Sequence, residues 1–455
     1  MRQVCSNAVP PAILAKVKPT FSSQNIKHVT SSSRHIHSYY AATANPAPSH
    51  PELKGDASCD VCVVGGGIAG CSSALHLAER GYRVVLLEDK HIGWGASGRS
   101  GAQALPGFAC SQDKLVQLVG RENARALWHV SVESLALARD LIRRHQIACD
   151  WIDGQMHAAI KPRHRAELIE WAEQLERDYA YRSVRLIDAP ELGELLATRR
   201  YIAGLYDSNS GHLHPLNYTL GLAAAAQRAG VELHENTRAL RYDTGSQFTV
   251  HTPRGAVRCR QLVLCGNVYL DGMAPELASK VIAVGTYIIA TEPLGADRAR
   301  ELIRNNMAVT DLNWVLDYFR LSADHRLLFG GRVSYSGLDP ANTVRATRAR
   351  MLGVFPQLED VRIEYTWGGY VDITLNRAPH FGRLAPNVFF LQGFSGHGIA
   401  LTGIAGKLIA EAVAATSERF DLFARIPHRN FPGGALLRRP ALVLAMLYYR
   451  LRDLL

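Results

Sequence analysis

The chain has 455 residues, 47% of them hydrophobic and 20% charged, with a formal charge of +10. At roughly 150 residues per domain this is two or three domain-sized masses, and the composition excludes wholesale disorder. The charge sits at the ends, +5 in residues 1–51 (Arg2, Lys16, Lys18, Lys27 and Arg34 without an acid) and +5 in 425–455 (six Arg against Asp453), which leaves 52–424 neutral. A nucleic-acid binder carries its basic surface on the folded body, so that class is excluded.

In chain order, residues 1–33 are rich in Ser, free of acid and interrupted by Pro10, Pro11 and Pro19. They read as a disordered leader or a misplaced start, with a transit peptide as the alternative. The stretch 41–51 is an extended lead-in. An apolar strand over 59–64 runs into Gly65-Gly66-Gly67-Ile68-Ala69-Gly70, then a helix to Arg80, a stop at Gly81 and a second strand over 83–88. That is a βαβ unit of about thirty residues. Eight Cys are scattered, and the one C-x-x-C, Cys59 and Cys62, falls inside the strand without a second pair, which reads as small buried residues rather than a metal or redox site. Helical spacing links Leu127, Val130, Ser134, Leu137 and Leu141, and again Leu168, Trp171, Ala172, Leu175 and Tyr179. A helix over 215–228 closes at Gly230, strands are expected over 231–233, 247–252 and 261–264, and 314–322 with 326–329 form a hairpin around Ala323-Asp324-His325. A last strand over 388–392 leads to a Gly-rich turn and a helix over 399–415. The apolar runs, 441–449 among them, fall short of the ~20 residues of a membrane span.

Three glycine-rich elements carry chemistry. Gly65-x-Gly67-x-x-Gly70 sits between strand and helix, where a tight turn lets backbone approach a pyrophosphate and the helix N-terminus offers N–H groups to it. Glu88, at the end of the second strand, is placed for ribose hydroxyls. Gly95-Ala96-Ser97-Gly98-Arg99-Ser100-Gly101 follows where a nicotinamide enzyme would continue with regular βα repeats. Gly393-Phe394-Ser395-Gly396-His397-Gly398 then opens a helix whose N-terminus suits negative charge on a reduced flavin.

Taken as an ordered set over roughly 57–415, these elements resemble the flavin-dependent amine and amino-acid oxidase family, which includes glycine, D-amino-acid and sarcosine oxidases. Within it the chain looks most like the gamma-glutamylputrescine oxidases. The stretches that carry this are Ser38-Tyr39-Tyr40-Ala41-Ala42-Thr43, Gly93-Trp94-Gly95-Ala96-Ser97-Gly98-Arg99, Tyr318-Phe319-Arg320-Leu321-Ser322 and Asn376-Arg377-Ala378-Pro379-His380-Phe381-Gly382. A loop that often reads R-N-G-G-Q in the family is Arg99-Ser100-Gly101-Ala102-Gln103 here.

The resemblance implies an α/β (α+β) fold, a Rossmann-like FAD-binding domain interleaved with a substrate domain built on a mostly antiparallel sheet. The expected segments are an N-terminal extension (1–56), FAD-binding segments (57–145, 211–275, 371–420), substrate segments (146–210, 276–370) and a basic tail (421–455). It implies that Gly65, Gly67, Ile68, Ala69, Gly70 and Glu88 hold the ADP half, with Ala239 meeting the adenine. Ser97, Arg99, Gly101 and Gln103 would lie along pyrophosphate and ring, and Gly266, Gly396, Gly398 and Ile399 near the isoalloxazine. The catalytic candidates are His397 (by backbone or side chain), Asp372, Tyr318 and Arg320. Asp372 either attracts an ammonium or caps backbone, and Arg320 either meets a remote carboxylate or is a structural sheet Arg. Family members that oxidise α-amino acids hold the carboxylate with an Arg in the region that here reads Gly368-Gly369-Tyr370-Val371-Asp372-Ile373, which has none. FAD is expected to be non-covalent, since no Cys follows Cys265 and Gly95 stands where a linking His would.

The activity implied is oxidation of an amine, a gamma-glutamylated polyamine such as gamma-glutamylputrescine, to the imine with hydride transfer to flavin N5. Oxygen or a quinone is the acceptor and no metal is involved; His212 and His214 lack the further ligands of a metal site. The alternatives are an amino-acid dehydrogenase, whose tail would touch lipid, and a non-catalytic flavoprotein subunit. A cytoplasmic location is expected, or an organelle if the leader is a targeting signal.

Overall fold

The computed structural model describes residues 35–245, 247–334 and 343–432. The readings of the leader over 1–33 and of the tail from 433 onward lie outside these.

Strands β1 (Val61–Val64) and β2 (Val84–Leu87) are buried at every position, as strands covered on both faces must be. Helix α1 (Ile68–Ala78) lies between them and is buried at ten of its eleven positions, its Ser72, Ser73 and His76 included. Further along come α2 (Arg121–His145), β3 (Ile152–Ala159), α3 (Pro162–Tyr179), β4 (Ala203–His212), α4 (Pro215–Arg228), β5 (Glu232–His234) and β6 (Gln261–Leu264). The chain continues with β7 (Val281–Thr291), β8 (Ala308–Asp311), β9 (Tyr318–Leu321), β10 (Leu327–Ser334), β11 (Ile363–Thr374), β12 (His380–Ala385), β13 (Val388–Gln392) and α5 (Gly398–Val413).

A six-stranded sheet has the order β12-β13-β6-β1-β2-β5, parallel except for the β12/β13 edge. Helices α1 and α5 pack closely against each other. A Cβ at Gly406 would stand 2.5 Å from Ser73 N, and Ser72 Oγ donates to Gly403 O at 2.7 Å. A second sheet runs β11-β7-β10-β9-β8-β3-β4 and ends on the short strand Gln103–Ala104. It is antiparallel apart from β8 on β3, and Val184–Ile187 adds to β4 off this path. Its core is a separate aromatic cluster around Phe319, Phe329 and Phe355. A small third sheet joins Ala57–Ser58, Gly255–Cys259, Phe248–Thr252 and Arg241–Asp243.

Mixed architecture, the βαβ unit, the helices from 121 and 162 and the late helix match the sequence reading. Two expected boundaries, 210/211 and 370/371, fall inside β4 and β11. The strand expected over 314–322 is shorter: Asp311 Oδ1 accepts from both Asn313 N and Asp317 N (3.1 Å each) and holds 312–317 as a loop, so pairing starts at Tyr318. Among the described residues no single helix is long and apolar enough to cross a membrane.

Candidate active site

Four parallel strands end at one crevice. Gly65 follows β1, Glu88 follows β2, Cys265 and Gly266 follow β6, and the turn at 393–398 follows β13. Ligands of open α/β sheets bind at such carboxyl ends. Gly65, Gly67, Ile68, Ala69, Glu88, Ser97, Ala239, Gly266, Asp372, Gly396, Gly398 and Ile399, all candidates from sequence, line it.

The crevice is shaped by missing side chains. Gly65 has φ +110°, and a Cβ there would sit 2.7 Å from Cys265 O. At Gly70 it would sit 1.8 Å from Gly65 O, so Gly70 serves the seating of α1 on the turn and does not line the crevice. At Gly67 the obstacle is only Ser97 Oγ, 2.8 Å away, and that hydroxyl accepts from Ile68 N at 3.0 Å at the start of α1. Glu88 accepts from Gly66 N (2.7 Å) and Lys90 N (2.9 Å), and burial pushes its carboxyl up to about 7.

Asp372 fixes the far wall. Its Oδ2 accepts from Gly393 N and, at 3.0 Å, from Phe394 N, while its carbonyl accepts from Ser395 N at 3.0 Å. Burial raises this carboxyl to about 6 despite those donors. The acid that was open between attracting an ammonium and capping backbone therefore caps the turn that presents Gly396 and Gly398.

Six other candidates lie off the crevice, Gly101 among them. Arg99 Nε donates to Trp94 O (2.6 Å) with its guanidinium 3.9 Å over the Trp94 ring. Gln103 spans to β8, donating to Val309 O (3.1 Å) and accepting from Thr310 Oγ1 (2.6 Å). Tyr318 is wedged between glycines: a Cβ at Gly101 would sit 2.6 Å from its ring and one at Gly330 2.1 Å. Arg320, 5% exposed, donates to Gly101 O (3.2 Å), Leu321 O (3.0 Å), Leu213 O (2.9 Å) and Tyr40 OH (3.0 Å). Its donors meet protein groups, His212 Nδ1 at 3.5 Å included, which favours the structural of the two readings. His397 faces a second cavity on the other side of its turn, and burial lowers its imidazole to about 4.

Sequence reasoning missed Trp94, Arg238, Asn267 and Tyr269, which also line the crevice. Asn267 follows Gly266 just past β6, and its φ of +54° places it in a turn conformation that asparagine tolerates. Its Oδ1 and the Oγ of Ser100 are buried on the crevice wall without a hydrogen-bond partner among the described residues. Buried polar atoms left so are costly, and a ligand with donors and acceptors relieves them. A glycine-walled, helix-headed crevice with unpartnered polar atoms fits a dinucleotide cofactor such as FAD.

Residues 60–412 match the family model described as FAD dependent oxidoreductase. The gamma-glutamylputrescine oxidoreductase of Escherichia coli (strain K12) is 43% identical over 420 residues, covering 92% of this chain and 98% of that one. Among solved structures, glycine oxidase from Geobacillus kaustophilus superposes with a TM-score of 0.67 at 20% identity, covering 79% of this chain and 95% of that one. L-amino acid deaminase from Proteus vulgaris gives 0.68 at 19%, covering 84% and 96%. These two show the fold.

Proposed function

The chain belongs to the family of FAD dependent oxidoreductases, and from that premise we propose that it oxidises an aliphatic amine whose carboxylate is remote from the reacting nitrogen, of the gamma-glutamylputrescine kind, to the imine. The observation that carries the reading is the crevice wall at Val371 and Asp372. It holds an aliphatic side chain and an acid where an α-amino acid's carboxylate would need a cation, and an unpaired buried carboxylate is strongly disfavoured. The name of the Escherichia coli relative, similar along its whole length, supports the same substrate class.

FAD, when bound, supplies the two-electron acceptor for the hydride that leaves the carbon beside the amine nitrogen. The Gly65–Gly67 turn and the head of α1 would hold its pyrophosphate, Glu88 the ribose hydroxyls, Ala239 the adenine by backbone, and Gly396 and Gly398 the ring. Ser97 keeps the head of α1 capped, and Asp372 keeps the 393–398 turn in place. No protein acid or base is required beyond orientation of the neutral amine and exclusion of water.

A substrate panel tests this. Gamma-glutamylputrescine should reduce the bound cofactor faster than glycine, sarcosine or D-alanine, and peroxide detection in air separates oxygen from a quinone as acceptor. Faster turnover of glycine or a D-amino acid would overturn the substrate class and leave the family standing.

A further inference from the structure

A second cavity, of about 420 Å³, lies behind the same turn: Gly396 and Gly398 line the crevice, and His397 between them lines this cavity. Its walls come from 105–113, α2, β3, α3 and β4. Trp128, Trp171 and Tyr181 give it aromatic faces, with Trp171 edge-on to His157 at 4.8 Å and Trp128 to Tyr181 at 5.4 Å. The charged groups of the lining are all carboxylates. Asp207 is buried on the floor, taking Tyr181 OH (2.9 Å), Ser210 Oγ (2.5 Å) and Asn209 N (2.9 Å). Glu167 and Glu170, exposed on one face of α3, stand with Asp113 at the mouth, and Asp113 accepts from Gln174 at 2.7 Å.

Two observations make this more than an acidic cluster. Gln112, only 6% exposed, lines the cavity with a buried Oε1 that has no hydrogen-bond partner among the described residues. And no lysine or arginine is among the lining residues. Burial lowers His157 to about 3 and His397 to about 4, so at neutral pH both imidazoles are uncharged and the cavity has no cation of its own.

We propose that this cavity is an ammonium-selective site that takes linear aliphatic amine cations, their methylenes against Trp128, Trp171 and Tyr181 and their charged nitrogens on Gln112 Oε1 and the mouth carboxylates. Aromatic faces attract organic cations, and a buried amide oxygen without a donor is satisfied by an N–H. The same lining disfavours a carboxylate, so the cavity favours amine cations over acids. The inference rests on the amine reading above and names the site that enforces it.

The test titrates 1,4-diaminobutane, with uncharged 1,4-butanediol as control, into dithionite-reduced full-length holoenzyme by calorimetry, so that no turnover intervenes. The diamine should bind and the diol should not. Gln112→Leu should weaken the diamine about tenfold and the surface pair Glu167→Gln/Glu170→Gln about fivefold, each raising KM for the amine substrate by a similar factor with kcat within threefold. Equal diamine affinity, within twofold, in wild type and both variants overturns the site, and because the second variant changes only surface residues, that outcome does not depend on how well Gln112→Leu folds. Diamine binding that both variants weaken, with no amine able to reduce the oxidised holoenzyme, supports the site and overturns the amine-oxidising reading instead.

Discussion

The two cavities that share the 396–398 turn are built by opposite means. The crevice is made of backbone: glycines at 65, 67, 266, 396 and 398, the N–H groups at the head of α1, and few side chains. The second cavity is made of side chains from many separate stretches, with aromatic walls and carboxylates. Backbone surfaces suit a large, invariant ligand approached closely along its length. Side-chain surfaces suit a small ligand chosen by charge and shape. On the proposal above, a backbone-built cofactor crevice stands beside a side-chain-built amine cavity, and that contrast can be attacked from either side.

The largest effect should come from filling the backbone crevice. Valine at Gly67 would meet only the movable Ser97 hydroxyl, whereas side chains at Gly65 or Gly70 would meet backbone oxygen. Gly67→Val should therefore yield a folded, colourless protein, read by the 450 nm to 280 nm absorbance ratio with a near-native melting temperature. A yellow Gly67→Val protein would refute the crevice. The wild-type flavin should also leave on acid denaturation: Gly95 lines the crevice with no side chain, and burial pushes the Cys265 thiol there up to about 12, away from the reactive thiolate. Flavin that stays with the denatured chain would show a covalent link.

The same contrast explains what could be read from the chain. A backbone site writes itself into sequence as glycines at fixed spacing after a strand, so 65, 67, 70 and 88 were legible in order. A side-chain site leaves Gln112, Trp128, His157, Glu170 and Asp207 tens of residues apart, each indistinguishable from a surface or core residue. The spacing of Leu168, Trp171 and Leu175 announced a core face, and Leu168 and Leu175 are buried in it, while Trp171 sits at its edge and also lines the cavity. Strand β11 was illegible for a related reason: its burial alternates unevenly and it carries Gly368 and Gly369, so it shows no clean period. Tyr318 and Arg320 looked catalytic because burial against glycines and carbonyls has no signature in a single sequence.

Arg320 gives the second test. Arg320→Ala would strip buried donors from Gly101 O, Leu213 O and Leu321 O, a loss of about 4 kcal/mol by analogy with broken buried charge networks. Urea unfolding should show it. The ratio of KM for a carboxylated amine to that for plain putrescine should stay within twofold, since the guanidinium is not placed to meet substrate. A selective rise for the carboxylated amine would return Arg320 to the binding site.

Glu88 gives a pH signature of the crevice. In the folded protein its carboxyl lies near 7, against an ordinary value of 4.5, because burial disfavours the charge. Between those values the folded state keeps a proton that the unfolded chain has lost, so this group's contribution falls as pH rises, by up to about 3 kcal/mol at pH 8. In the flavin-free Gly67→Val background, adding Glu88→Gln should remove that decline. Unfolding free energies from pH 4.5 to 8 should diverge progressively, the Gln variant gaining relative to its parent. Parallel pH profiles would mean that Glu88 is solvated.

The smallest expected effect belongs to a side chain inside the backbone site. Ser97 Oγ accepts from Ile68 N at 3.0 Å, although the N-cap position of α1 is Gly67, which has no side chain to cap with. A hydroxyl from another loop thus does the work of an N-cap, and losing such a bond costs about 1 kcal/mol. Ser97→Ala should lower stability by about that much, and Ser97→Thr, which keeps the hydroxyl, should recover most of it. The amine KM should stay constant in both, since Ser97 lines the crevice and not the second cavity. A change in amine KM as large as the change in flavin affinity would mean that the two cavities act as one site, and the division between cofactor crevice and substrate selector would have to be withdrawn.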